Sequence, residues 1–141
     1  MPWRFVYAGQ VPGDYAVWGE ATPKFWNVFL YDIAKRTSTR IPRPSWVSFQ
    51  YMPSVTADGT VYYARGGTGC GRNVRIMRLG PRGGARKLVA LPDLADVGYM
   101  YAYERQDGTT TLFFNRSRCK DRADYRPHPW DVYKIEGANA S

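Results

Sequence analysis

Apolar residues fall in short runs broken by turn residues, and no window keeps them at i, i+3, i+4 and i+7 for long enough to make a helix. Within the runs the alternation has a period of two, as in "YAVWGEA" and "GYMYAYE", which places successive side chains on opposite faces of a strand. This pattern predicts strands at Arg4–Ala8, Tyr15–Gly19, Val28–Ile33, Thr37–Ile41, Ser54–Thr56, Val61–Arg65, Val74–Leu79, Arg86–Ala90, Tyr99–Glu104, Thr110–Asn115 and Asp131–Ile135. Closely spaced short strands with Gly and Pro between them indicate an all-β fold.

The runs also repeat. "SVTADGTVYYARGGTGC" (54–70) and "AYERQDGTTTLFFNRSRC" (102–119) share one order: a polar run into Asp-Gly-Thr, a β-rich run, an Arg and a terminal cysteine. Twelve positions separate Asp58 from Cys70, and twelve separate Asp107 from Cys119. "NVFLYDIAKRTSTRIP" and "NVRIMRLGPRGGARKLVALP" each run strand, turn, strand, Pro, and "WDVYKI" begins that unit a third time. The units read as four antiparallel strands with a period of about 45 to 50 residues, as in β-propeller blades.

The expected blades span about residues 3–42, 47–92 and 97–135 of a single partial propeller domain, residues 1–141. Asp58-Gly59 and Asp107-Gly108 are expected to form two-residue type I′ turns between first and second strands, because Asp tolerates and Gly adopts positive φ. The third blade lacks its outermost strand, and the N-terminal "WRFVYAG" is a candidate to complete it. Three blades do not close a ring, since propellers typically use about four to eight. Either two copies close a six-bladed ring, or the chain belongs to a larger propeller polypeptide.

Composition narrows the partners. The chain is 44% hydrophobic and 16% aromatic, which excludes a disordered polypeptide and favours strands. The formal charge of +8 invites a polyanion, yet the basic residues are scattered, and the densest run, "RSRCKDRADYR", is interrupted by Asp121 and Asp124. Nucleic acid is therefore not the expected partner. No apolar stretch approaches the roughly 20 residues of a membrane helix, and no secretory signal is visible at the N-terminus.

Cys70 and Cys119 occupy equivalent loops of adjacent blades, at one end of the ring, and are expected to form a disulfide in an oxidising compartment. A metal site is not expected: the pair lacks Cys-x-x-Cys spacing, and the sole histidine, His128 in "RPHPW", would be a lone third ligand. No cofactor motif is present. The glycines of "RGGTGCGRN" mimic a phosphate loop, but no helix follows, so a flexible hairpin loop is the expected reading.

Glu20, Asp96 and Glu104 remain as candidate channel or loop acids. Tyr99, Tyr101 and Tyr103 share one face of the strand expected to be innermost in blade three, so with Trp26, Trp46 and Trp130 they are candidates to stack on a sugar or peptide. Core packing between blades is the competing expectation for each of them.

The motifs "NVFLYDIAKRTSTRIP", "PSVTADGTVYYAR" and "WDVYKI" resemble those of the TolB-like six-bladed β-propellers, particularly the secreted actinobacterial ones. The resemblance covers about residues 15–135, roughly half a ring, and implies an extracytoplasmic location. It is specific for fold rather than function, because propellers host many activities. The expected role is a non-catalytic binding or scaffold module using Tyr99, Tyr101, Tyr103, Glu104, Trp46 and Trp130. The alternatives are a hydrolase of glycans or peptides using channel acids such as Glu104, and a glycan-binding lectin with equivalent pockets between blades.

Overall fold

The computed structural model describes residues 5–9, 11–124 and 131–140. Its eleven strands are β1 (Phe5–Ala8), β2 (Tyr15–Ala21), β3 (Trp26–Asp32), β4 (Thr37–Arg40), β5 (Phe49–Val55), β6 (Val61–Gly66), β7 (Arg75–Leu79), β8 (Ala85–Ala90), β9 (Ala95–Glu104), β10 (Thr110–Arg118) and β11 (Asp131–Ile135). The chain is all-β, with no helix among the described residues.

β5 and β9 start well before the expected Ser54 and Tyr99. Pro53 reads in the sequence as a strand break because it lacks the N–H of a ladder bond. Here it sits at a register shift between Tyr51 and Ser54, beside Met52 with a φ of 51°, so β5 continues through a bulge.

β1 to β4 pair consecutively and antiparallel, as do β5 to β8, and one parallel pairing, Trp26 with Phe49, joins these two meanders into an eight-stranded sheet. β9, β10 and β11 form a separate three-stranded meander. Neither sheet closes on itself. β1 pairs with β2 inside the first meander, from Phe5 opposite Ala21 to Ala8 opposite Trp18, so it does not complete the third as the sequence suggested.

The Asp-Gly turns differ from expectation in type. Only the glycines have positive φ, 87° at Gly59 and 84° at Gly108, whereas a type I′ turn requires it at both central residues. Gly59 N–H donates to Thr56 O and Thr56 N–H to Thr60 O, and Gly108, Arg105 and Thr109 repeat the scheme. In this longer turn with a left-handed glycine the aspartates serve instead as side-chain acceptors. Asp58 Oδ1 accepts from Thr60 N–H and Thr56 Oγ1, and Asp107 Oδ1 from Thr109 N–H and Oγ1.

The middle meander packs on both sides. Its period of two sends Val61, Tyr63 and Met77 into one apolar cluster with Val17, Val28 and Ile41 of the first meander. Tyr62, Ala64 and Ile76 go into the other, with Val97, Met100, Ala102, Leu112 and Phe114 of the third. Tyr62 and Tyr63 are both fully buried, back to back on one strand.

Candidate functional site

The outer face of the third meander is the most conspicuous surface. Alternation along β9 buries Met100 and Ala102 against the core, so Tyr99, Tyr101 and Tyr103 project from the opposite face, 74%, 52% and 49% exposed. The shared face read from the sequence is present, and within one chain no neighbouring meander covers these three side chains among the described residues. Phe113 lies opposite Tyr101, and Val132, 70% exposed, lies opposite Asn115 on the same face. The result is an aromatic patch with Lys134 at its rim.

The far side of the first meander mirrors it. Trp18 and Phe29 are cross-strand partners whose rings stack at 5.4 Å, with Tyr31 two residues along the same face and exposed Val6 on β1. Trp18 and Phe29 are half-buried and lie outside both core clusters. The sequence reading assigned this face no role, although the alternation Val17, Trp18, Gly19 carries the signal.

The remaining candidates disperse. Trp26 packs against Phe49 and Tyr51 at 4.9 and 5.9 Å between ring centres, which makes it a packing residue. Trp46 is 48% exposed and lies near the guanidinium groups of Arg65 and Arg75, 5.1 and 5.3 Å from its ring centre. These arginines are cross-strand partners of like charge, and the indole offers each a cation–π contact in their place on the sheet. Glu104 Oε2 accepts a hydrogen bond from Ala57 N–H at 3.2 Å, tying the third meander to a turn of the second. Trp130 and His128 lie outside the described residues.

Two clefts bear on catalysis. A groove of about 420 Å³ between the first two meanders is lined by Leu30, Ile41, Val61, Leu79 and Pro81, with no carboxylate among the described residues that line it. A second cleft, of about 390 Å³, holds Asp93 and Asp131 between Arg116 and Arg118. The Arg122 guanidinium hydrogen-bonded to Asp93 holds its carboxyl below the usual range, the reverse of what a proton donor to a glycosidic oxygen needs.

At one end of the molecule Cys70, in the β6–β7 loop, forms a disulfide with Cys119, just after β10, with Cα atoms 6.1 Å apart. The loop around Cys70 is not the slack hairpin loop expected from its glycines. Cys70 N–H donates to Arg122 O, Gly67 N–H to Arg72 O and Leu94 N–H to Gly71 O, knitting three loops together. Gly71 has a φ of 64°, and a Cβ there would come within 2.5 Å of the Leu94 backbone.

Asp96 stands beside this disulfide, a neighbour the sequence reading did not connect to it. Its Oδ1 accepts from Tyr51 Oη at 2.5 Å and from Val97 N–H at 2.8 Å. Burial pushes its carboxyl above the usual range, against the opposing pull of the Tyr51 hydroxyl and backbone amides. The signal lies in hairpin register: counting back from the Asp107-Gly108 turn, past one bulge, sets Asp96 opposite Ser117, two residues before Cys119. No family model, curated protein or solved structure matches the chain.

Proposed function

We propose that the chain is half of a TolB-like six-bladed β-propeller, its three meanders serving as three blades, and that it works as a non-catalytic binding or scaffold module that closes its ring with a second copy. The observation that carries this reading is the pair of aromatic faces at the two ends of the stack, Tyr99, Tyr101, Tyr103 and Phe113 at one and Trp18, Phe29 and Tyr31 at the other. Each internal meander face is covered by its neighbour through an apolar cluster, and only the two end faces lack such a neighbour among the described residues.

In a two-fold assembly the third meander of one copy meets the first meander of the other, twice. Both contacts are then aromatic on aromatic, a composition that favours association. The apolar lining of the groove between the first two meanders and the ionised state of Asp93 support binding rather than hydrolysis. In the closed ring, Trp46 and Glu104 are left to contact a protein or glycan ligand, and the disulfide fits an oxidising, extracytoplasmic setting.

The test is the solution mass by light scattering under non-reducing conditions. The reading expects about twice 16.1 kDa, falling to the monomer value for Tyr101→Glu. A wild-type monomer over the working concentration range sinks self-closure and leaves membership of a larger propeller chain as the reading to test.

A further inference from the structure

The disulfide end brings three metal-binding atoms together. Ligand atoms of Cys70, Asp96 and Cys119 all lie within 4.8 Å of one another, and Asp96 Oδ2 is 3.5 Å from Cys70 Sγ. Asp96 is also oriented to act as a ligand. Tyr51 Oη and Val97 N–H hold its Oδ1, the Gly71 amide adds a further hydrogen bond to the carboxylate, and Oδ2 lies toward Cys70 Sγ, as in a carboxylate ligand oriented by outer partners.

The backbone around the two sulfurs is also tied by hydrogen bonds that do not involve the sulfur–sulfur bond. Cys70 N–H donates to Arg122 O at 2.8 Å, Cys119 N–H to Leu94 O at 2.7 Å and Leu94 N–H to Gly71 O at 3.2 Å. None of these bonds passes through a sulfur, so none is broken when the disulfide opens. Zinc bonded tetrahedrally, at about 2.3 Å to sulfur and about 2.1 Å to oxygen, separates those ligand atoms by roughly 3.6 Å. In the oxidised form Cys70 Sγ already stands 3.5 Å from Asp96 Oδ2, and opening the disulfide frees the two sulfurs to part to the roughly 3.8 Å that two thiolates on one zinc require.

We propose that, once reduced, Cys70, Cys119 and Asp96 form a three-ligand site for a thiophilic divalent cation, with zinc the best fit, so that the same two sulfurs hold either each other or a metal. A dithiol reductant supplies two electrons and two protons, becomes a disulfide itself, and leaves two thiols; the incoming cation then releases both thiol protons to solvent. Thiolate ligands select against calcium and magnesium. Cys70 and Cys119 are only 8% and 3% exposed, so the dithiol that opens the bond must be a small molecule rather than a protein thiol. A small cleft bordered by Asp96, Tyr51, Trp26 and Gly69 adjoins the site, where water can serve as the fourth ligand. The spacing argument against a metal misses this third ligand because it arrives from β9, 26 residues away in sequence.

The experiment is an anaerobic titration of the reduced full chain with Co²⁺, followed by absorbance and then by competition with Zn²⁺. One equivalent of Co²⁺ is expected to produce thiolate-to-cobalt charge transfer and tetrahedral d–d bands that Zn²⁺ abolishes. The oxidised protein and the Cys70→Ser/Cys119→Ser variant are expected to show neither. Asp96→Asn is expected to weaken binding at least tenfold while keeping the charge-transfer band. Absence of the bands in reduced protein that keeps its near-ultraviolet dichroism overturns the proposal, as does loss of that dichroism on reduction, because the loops then fail to hold the site. Unchanged affinity in Asp96→Asn overturns the three-ligand assignment.

Discussion

Tyr51 and Asp96, 45 residues apart, meet through a 2.5 Å hydrogen bond that joins β5 of the larger sheet to β9 of the smaller. Further along β9, Ala102 N–H donates to Ser54 Oγ at 2.9 Å, so the second and third meanders share polar as well as apolar contacts. Tyr51→Phe removes the hydroxyl and keeps the ring. It is expected to lower stability by about 1–2 kcal/mol, read as a lower urea midpoint with an unchanged slope.

Opening the disulfide is expected to cost more. The bridge spans 49 residues, and loop-closure entropy for a loop of that size corresponds to about 4 kcal/mol. Urea unfolding of wild type against Cys70→Ser/Cys119→Ser in metal-free buffer measures it. A loss below about 1 kcal/mol would show that residual structure in the unfolded chain already confines these loops.

Gly71 and Gly83 make a matched pair of tests. Gly71→Ala puts a Cβ within 2.5 Å of the Leu94 backbone at a φ of 64°, and is expected to destabilise by about 2 kcal/mol or more. Gly83, with nothing within 4 Å of a built Cβ, is expected to accept Ala within about 0.5 kcal/mol. Thermal melts of the two variants compare them directly.

The acid limb of stability is expected to depend on Asp58. Partial burial raises its carboxyl pKa, but hydrogen bonds from Thr60 and Thr56 and the charge of Arg78 outweigh this and set it below the ordinary value. A folded pKa below the unfolded one, near 3.9, contributes stability that is present above the unfolded value and lost as pH falls through the folded value. Asp58→Asn removes that titration, so its melting temperature is expected to fall less steeply than wild type below about pH 4. Parallel curves for the two proteins would count against it.

What the sequence made legible was local. Asp58-Gly59 and Asp107-Gly108 mark hairpins because glycine alone reaches positive φ cheaply, and period-two alternation placed Tyr99, Tyr101 and Tyr103 on one face. The cysteine pairing followed from equal spacing after those turns. Turn type was not legible, since a side-chain acceptor on Asp58 serves a three-residue hairpin loop as well as a two-residue one. The start of β5 was hidden by Pro53, whose bulge depends on its strand partner. Asp96 was read as a channel or loop acid and not as a neighbour of the cysteines, because a single bulge between Phe114 and Arg116 decides its partners. How exposed the tyrosine face is depends on what packs over β9, which strand alternation does not encode.

The lone parallel pairing of Trp26 with Phe49 also divides the molecule by durability. The second and third meanders are bound by a covalent staple and a shared core, whereas the first is held to the second by non-covalent contacts: that pairing, the packing of Trp26 on Phe49 and Tyr51, the Gln50 side chain donating to Pro42 O, and the cluster around Val17 and Val28. The protein is therefore a two-thirds body with a detachable third. Amides of β2 and β3 are expected to exchange through a partial opening that leaves β6 and β10 protected, so that loss of order begins at one end of the stack and need not reach the other.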